Sequence, residues 1–282
     1  MRVSLPLQLA EQARAFTDGS RTPAEPRDAA TVILMRPGHS GPELYLLRRQ
    51  RSMAFAGGMA VFPGGGVDPR DFDTSVAWAG PSPEQWATGL ATPPEMARAL
   101  VCAAVRETFE ESGVLLAGTS AGDVVADTTG DSWEADRRAL EAKELAFTTF
   151  LDRRGLVLRS DLLGVWSGWC TPVFEPRRFR TWFFVAALPS GQRTRDVSSE
   201  SSSVVWMEAG AACDAVDASE LGMMPPTYVT CLDIAQHPTP DAVLEAAAGR
   251  VVEMFTPAVV ESSDDVTMSV PPELVALVEA RP

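Results

Sequence analysis

The sequence has little of what builds a soft-metal or dithiol centre: among 282 residues there are four cysteines and two histidines. Cys102, Cys170, Cys213 and Cys231 are far apart and form no C-x-x-C pair, and His39 and His237 are isolated. A zinc centre or a thioredoxin-like site finds no support in this pattern, and reduced thiols in a cytoplasmic protein are expected. Long apolar runs are also missing. The longest, W-F-F-V-A-A-L at 182–188, is too short to cross a bilayer. The opening M-R-V-S-L-P-L-Q-L-A-E-Q is broken by proline and charge before a signal-peptide core forms, so no membrane partner is expected. Basic charge is scarce as well: 24 Lys and Arg against 38 Asp and Glu give a formal charge of -14. Such a field repels long nucleic acid. Small phosphorylated ligands stay open, because a metal ion or a local cluster such as Arg177, Arg178 and Arg180 reverses the field inside a cleft.

What is present suffices for a folded domain: 45% of residues are hydrophobic and 22% charged. Residues 1–28 read as an N-terminal arm, 29–250 as the main domain, and 251–282 as a proline-containing tail. A-T-V-I-L-M at 30–35 and E-L-Y-L-L-R-R at 43–49 flank a P-G-H-S-G-P turn and predict a hairpin. The glycine-rich run A-F-A-G-G-M-A-V-F-P-G-G-G-V-D at 54–68 fits a binding loop or a bulged strand with a tight turn. Residues 69–92 read as an inserted excursion with a turn of helix near Pro83. Thr92, Pro93 and Glu95 form a capping-box pattern ahead of a long helix that Gly113 ends, followed by a strand at 114–116. Residues 131–151 predict one amphipathic helix, either packed within the chain or offered to a second copy in a homodimer. Further strands are predicted at 162–167, 180–188 and 203–207, and helices at 225–235 and 240–248, giving an α/β domain.

The end of the long helix reads V-R-E-T-F-E-E-S-G-V at 105–114. Glu107, Glu110 and Glu111 are related by i, i+3 and i+4, so their carboxylates project from one face. They repel one another close to a helix end whose partial charge is also negative. A hard divalent cation, which prefers carboxylate oxygens, would offset that repulsion. A solvated acidic helix end paired to an arginine is the alternative.

R-E-T-F-E-E-S-G-V resembles the second half of the Nudix hydrolase signature, R-E-u-x-E-E-x-G-u with u aliphatic, and F-P-G-G at 62–65 is similar to the turn that opens the first half. The resemblance implies a Nudix-like α/β/α sandwich with a mixed sheet, a long insertion within the box and additional helices. That pattern normally puts its glycine fourteen residues before the arginine, with a glutamate between them, eight before the arginine. Here 41 positions separate Gly65 from Arg106. The spacing, together with L-Y-L-L-R-R, W-S-G-W-C-T-P, R-R-F-R-T-W-F-F-V-A and M-P-P-T, resembles the long-insert branch of peroxisomal coenzyme A diphosphatases. The resemblance implies Glu110 and Glu111 as principal ligands of Mg²⁺ or Mn²⁺, Glu107 as a further ligand or the activator of water, and the Gly65 carbonyl completing the set. Arg106 would orient a carboxylate, and Glu200 is the candidate distal base. Several positions depart from the pattern. Thr108 replaces an aliphatic residue, Arg180 stands where the branch usually has aspartate, and Ala54 stands where a coenzyme A loop carries arginine. Glu95, eleven residues before Arg106, is assigned to capping rather than to the intervening glutamate. The implied activity is metal-dependent hydrolysis of a nucleoside diphosphate linked to another group, with coenzyme A or acyl-coenzyme A as substrate. ADP-ribose or NADH is the alternative substrate, and a catalytically inactive nucleotide-binding sensor is the rival of a different class.

Overall fold

The strands with the most continuous apolar runs form the centre of the protein in the computed structural model, which describes residues 13–16, 19–50, 56–199, 201–261 and 266–281. β1 (Arg27–Pro37), β2 (Pro42–Arg49), β8 (Gly164–Cys170), β9 (Phe179–Ala187), β10 (Ser201–Glu208) and β11 (Met254–Phe255) make a sheet in the order β10-β2-β1-β9-β8-β11. β1 runs parallel to β9 and β8 parallel to β11, whereas β1 with β2, β2 with β10 and β8 with β9 are antiparallel, so the sheet is mixed. Two short strands hang on it, β3 (Ala60–Val61) on β2 and β4 (Gly64–Gly66) on β1.

Both faces of the sheet are covered, which is why these strands read as solid hydrophobic runs. Along β1, Ala30, Val32 and Leu34 enter one core while Ile33 and Met35 enter the other. β9 alternates likewise, Trp182, Phe184 and Ala186 against Phe183 and Val185. The first core is closed by α1 (Pro83–Leu90) and α2 (Pro94–Ser112). The second is closed by α5 (Ala209–Asp217), α6 (Pro225–Ile234) and α7 (Pro240–Ala247). The result is an α/β/α sandwich. A smaller sheet, β5 (Trp78–Ala79), β7 (Val157–Arg159) and β6 (Ala117–Gly118), joins the insert to the chain that follows α2.

Three local expectations change. The long helix starts one residue late: its N-cap is Pro93, Pro94 takes the first turn, and no side chain caps it. A residue before proline is pushed out of the helical region, and Pro93 has φ -58 and ψ 150, so Thr92 lies too far upstream to cap and Glu95 has no capping role. Residues 114–116 join no ladder; the Leu115 N–H and carbonyl are bonded by the amide of Gln192, at 2.8 Å each. The helix expected at 131–151 is two, α3 (Asp131–Glu141) and α4 (Phe147–Arg153), because the chain turns through Lys143 in the left-handed region. The tail contributes the pair β12 (Val259–Glu261) and β13 (Val266–Met268) and a short α8 (Val275–Glu279). The excursion at 69–92 is packed against the sheet: Val76, Trp86 and Leu90 are buried in the first core.

Candidate active site

β4 is three glycines in a row, paired with β1 through Thr31, Ala30 and Ala29. The last turns of α2 lie against it. The Gly64 N–H donates to Glu111 Oε2 at 2.8 Å, and Arg106 Nη2 donates to the Gly66 carbonyl at 3.0 Å. A Cβ on Gly65 would stand 2.6 Å from Glu107 Cδ and 2.7 Å from Oε2, so a side chain there would push the Glu107 carboxylate out of its present place. The two halves of the signature are therefore in contact despite the long insert between them.

Arg106, 8% exposed, organises the acidic face. Its Nη1 donates to Glu107 Oε1 at 2.6 Å and, more weakly, to Glu110 Oε1 at 3.4 Å. Its Nε and Nη2 form a fork on the two oxygens of Asp71, at 3.1 and 2.9 Å. Burial acts to lower its pKa, and the charges of Glu107, Asp71 and Glu110 outweigh this and raise it. Glu110 moves the other way from an ordinary carboxyl: burial first, then the charge of Glu107, pushes it up to about 7, against the pull of Arg106. Gly113, at φ 74, ends the helix by donating to the Phe109 carbonyl.

Asp71 is the residue that sequence reasoning missed. It is 2% exposed, comes from the 3₁₀ turn Pro69–Phe72 at the start of the insert, and also accepts from the Asp68 N–H at 2.8 Å. Counting eight back from Arg106 lands on Arg98, inside α2 itself, and finds no carboxylate. Counting six forward from Gly65, the distance from glycine to glutamate in the compact signature, lands on Asp71. The insertion thus falls behind the acidic residue, and Arg106 keeps its partner.

The other departures are accommodated. Thr108 is fully buried and donates its hydroxyl to the Ala104 carbonyl at 2.7 Å, so the polar group is satisfied within the helix. Arg180 forms an ion pair with Asp28 Oδ1 at 2.6 Å, beside the strand that carries the glycine turn. Glu200 and Ala54 lie outside the described residues. On the other flank of the cluster, Glu111 and Ser198 line one small cavity with Leu47, Arg49, Val61 and Ser201.

A hard cation is compatible with this donor set. Glu107, Glu110 and Glu111 present carboxylate oxygens at one helix end, the glycine turn keeps backbone and carboxylates in close approach, and the raised pKa of Glu110 reports burial first and then crowding by Glu107, both of which a cation would offset. Among the described residues no three acidic or other ligating side chains converge into a ready-made metal cage. Arg106 and Gly64 hold these carboxylates where they stand.

A helix-covered mixed sheet with a glycine turn locked against a glutamate-bearing helix end defines the protein as one with a Nudix fold. The same fold appears in the crystal structure of a NUDIX hydrolase from Alicyclobacillus acidocaldarius, with a TM-score of 0.67 at 24% identity, over 82% of this chain and 99% of that one. The family model of the NUDT19 Nudix domain matches residues 79–232, more than half of the chain, and the chain belongs to that family. It is similar to acyl-coenzyme A diphosphatase NUDT19 of Gallus gallus, 27% identical over 72% of this chain and 66% of that protein. The Xenopus laevis protein of the same name is 26% identical over 66% of this chain and 58% of that one. The putative nudix hydrolase 7 of Caenorhabditis elegans is 26% identical over 74% and 61%. The chain spans about three-fifths to two-thirds of the length of these relatives.

Proposed function

We propose that the protein is a metal-dependent Nudix pyrophosphohydrolase acting on coenzyme A or acyl-coenzyme A. The observation that carries the reading is the contact between the glycine turn and the helix glutamates, with Glu111 on the Gly64 N–H and the Glu107 carboxylate close against Gly65. Relatives named as acyl-coenzyme A diphosphatases support the substrate class.

Glu110 and Glu111 would hold Mg²⁺ or Mn²⁺, with the Gly65 carbonyl alongside; when bound, the ion offsets charge on the diphosphate and on the departing phosphate. The chain's own residues do the rest. Arg106 fixes Glu107 and Glu110 in place through Nη1, and is itself fixed by the fork on Asp71. The glycines leave room for phosphate oxygens against the backbone. Water attacks one phosphorus, the bridging P–O bond breaks with its electron pair going to the departing phosphate, and Glu107 accepts the proton from the water. Four buried free cysteines suit a reducing compartment, and the cytoplasm is part of the same reading.

Incubation with coenzyme A, ADP-ribose and NADH in millimolar Mg²⁺ or Mn²⁺, read by product mass, tests the proposal. The expected result is a pair of phosphomonoesters from coenzyme A. Preferential cleavage of ADP-ribose or NADH would replace the substrate, and cleavage of none of the three would overturn the assignment.

A further inference from the structure

The last four carbonyls of a helix lack intrahelical donors, and the end of the dipole there is negative. α2 makes this worse, since its last turns carry three glutamates and no basic residue lies in the final turn. The cations arrive from elsewhere. Arg137, on α3 and only 2% exposed, donates Nη1 to the Glu110 carbonyl at 2.7 Å. The same guanidinium grips Glu134 with Nε and Nη2, at 3.0 and 2.8 Å, and Glu141 with Nη1 at 3.0 Å. The contacts continue outward. Glu141 Oε1 accepts from the Ser199 N–H at 2.9 Å, Glu134 Oε2 accepts from Arg195 Nη1 at 2.9 Å, and the Arg195 N–H donates to the Ser112 carbonyl at 2.9 Å. One buried cation therefore connects the backbone of a candidate metal-holding residue to the 195–199 segment, whose Ser198 shares a cavity with Glu111.

We propose that Arg137 is a positioning residue for the glutamate cluster, holding the Glu110 turn of α2 and, through Glu141, the segment at Ser199 in one mutual geometry. The inference rests on the metal-site reading above and adds a residue 26 positions beyond the signature glutamate Glu111. Arg138 supplies the internal contrast: it donates to Glu134 at 2.9 Å from a 73% exposed side chain and does not bond to α2.

The test is equilibrium binding of Mn²⁺, followed by the electron-paramagnetic-resonance signal of the free ion, in the full chain and in Arg137→Met, Arg137→Lys, Arg138→Met and Glu111→Gln. Groups that orient metal ligands are worth about ten- to a hundredfold in affinity. Arg137→Met and Arg137→Lys should bind Mn²⁺ about tenfold more weakly, and lower kcat for coenzyme A with KM changed about twofold or less, while Arg138→Met matches the unaltered chain. Lysine keeps the buried charge but lacks the fork that spans the Glu110 carbonyl and both carboxylates, so Arg137→Lys decides the matter if Arg137→Met does not fold. A folded Arg137→Lys with unaltered Mn²⁺ affinity would overturn the positioning role. Failure of the underlying reading looks different: the unaltered chain and Glu111→Gln would then bind Mn²⁺ equally or not at all.

Discussion

Two acidic clusters meet at the Glu110 carbonyl, and their carboxyls shift in opposite directions. On α2 and the insert, Glu107, Glu110 and Asp71 all accept from the guanidinium of Arg106, with Glu111 beside them on the Gly64 N–H. On α3, Glu134 alone accepts from Arg137, Arg138 and Arg195. The same side chain responds in opposite ways: Glu110 is pushed up to about 7, chiefly by burial and by Glu107, and Glu134 is pulled down to about 2, chiefly by its hydrogen bonds to Arg137. A cluster serving only the fold is balanced as α3 is. Like charges crowded in a buried place cost stability unless something positive joins them, and the raised Glu110 is what singles out the α2 end as the candidate site.

The largest expected effect comes from removing charge at the candidate metal-holding helix end. Glu111→Gln keeps volume and an acceptor for the Gly64 N–H but removes an anionic group that, as a metal ligand, would be worth several kcal/mol to the transition state. Turnover of coenzyme A should fall about a thousandfold with the thermal midpoint no lower than that of the unaltered chain, as measured by initial rates and circular dichroism. Next is Asp71→Ala, which takes a buried partner from a buried arginine. Stability should drop by about 3 kcal/mol in a urea titration, and a change below about 1 kcal/mol would mean that Asp71 matters no more than a surface ion pair.

A smaller effect separates the clusters by pH. Glu134 has a folded pKa below its unfolded value, so its contribution is fully present above about pH 4.5 and is lost as pH falls toward about 2. Glu134→Gln should flatten the acid limb of the urea midpoint over that window; an unchanged limb would remove the balanced half of the comparison. The smallest effect is expected at Thr108→Val. It restores the aliphatic type and removes a hydroxyl satisfied only within its own helix, so stability should move by about 1 kcal/mol or less and turnover should stay within about twofold.

Much of this arrangement was legible in the sequence where the signal is local. The strands around 30–35, 43–49 and 180–188 announce themselves because both sheet faces are buried, and the one-sided glutamates follow from helix spacing. What escaped was decided by single residues or by distant ones. Pro94 moved a helix start, and Lys143 in a left-handed turn split a helix in two. α5, immediately after β10, carries neither a proline nor a glycine-bounded start, and was not anticipated. Asp71 was hidden because the insert disturbs the count from one end of the signature and not from the other. The balanced cluster was out of reach altogether, since Arg195 and Glu134 are 61 positions apart and only the folded chain brings them together.

Calorimetric titration of the metal-stripped protein with Mn²⁺ tests the charge comparison most directly. The account predicts saturable binding to the unaltered chain, lost in the double variant Glu110→Gln/Glu111→Gln and retained in Glu134→Gln. Absence of binding to the unaltered chain, or equal binding to the double variant, would contradict it.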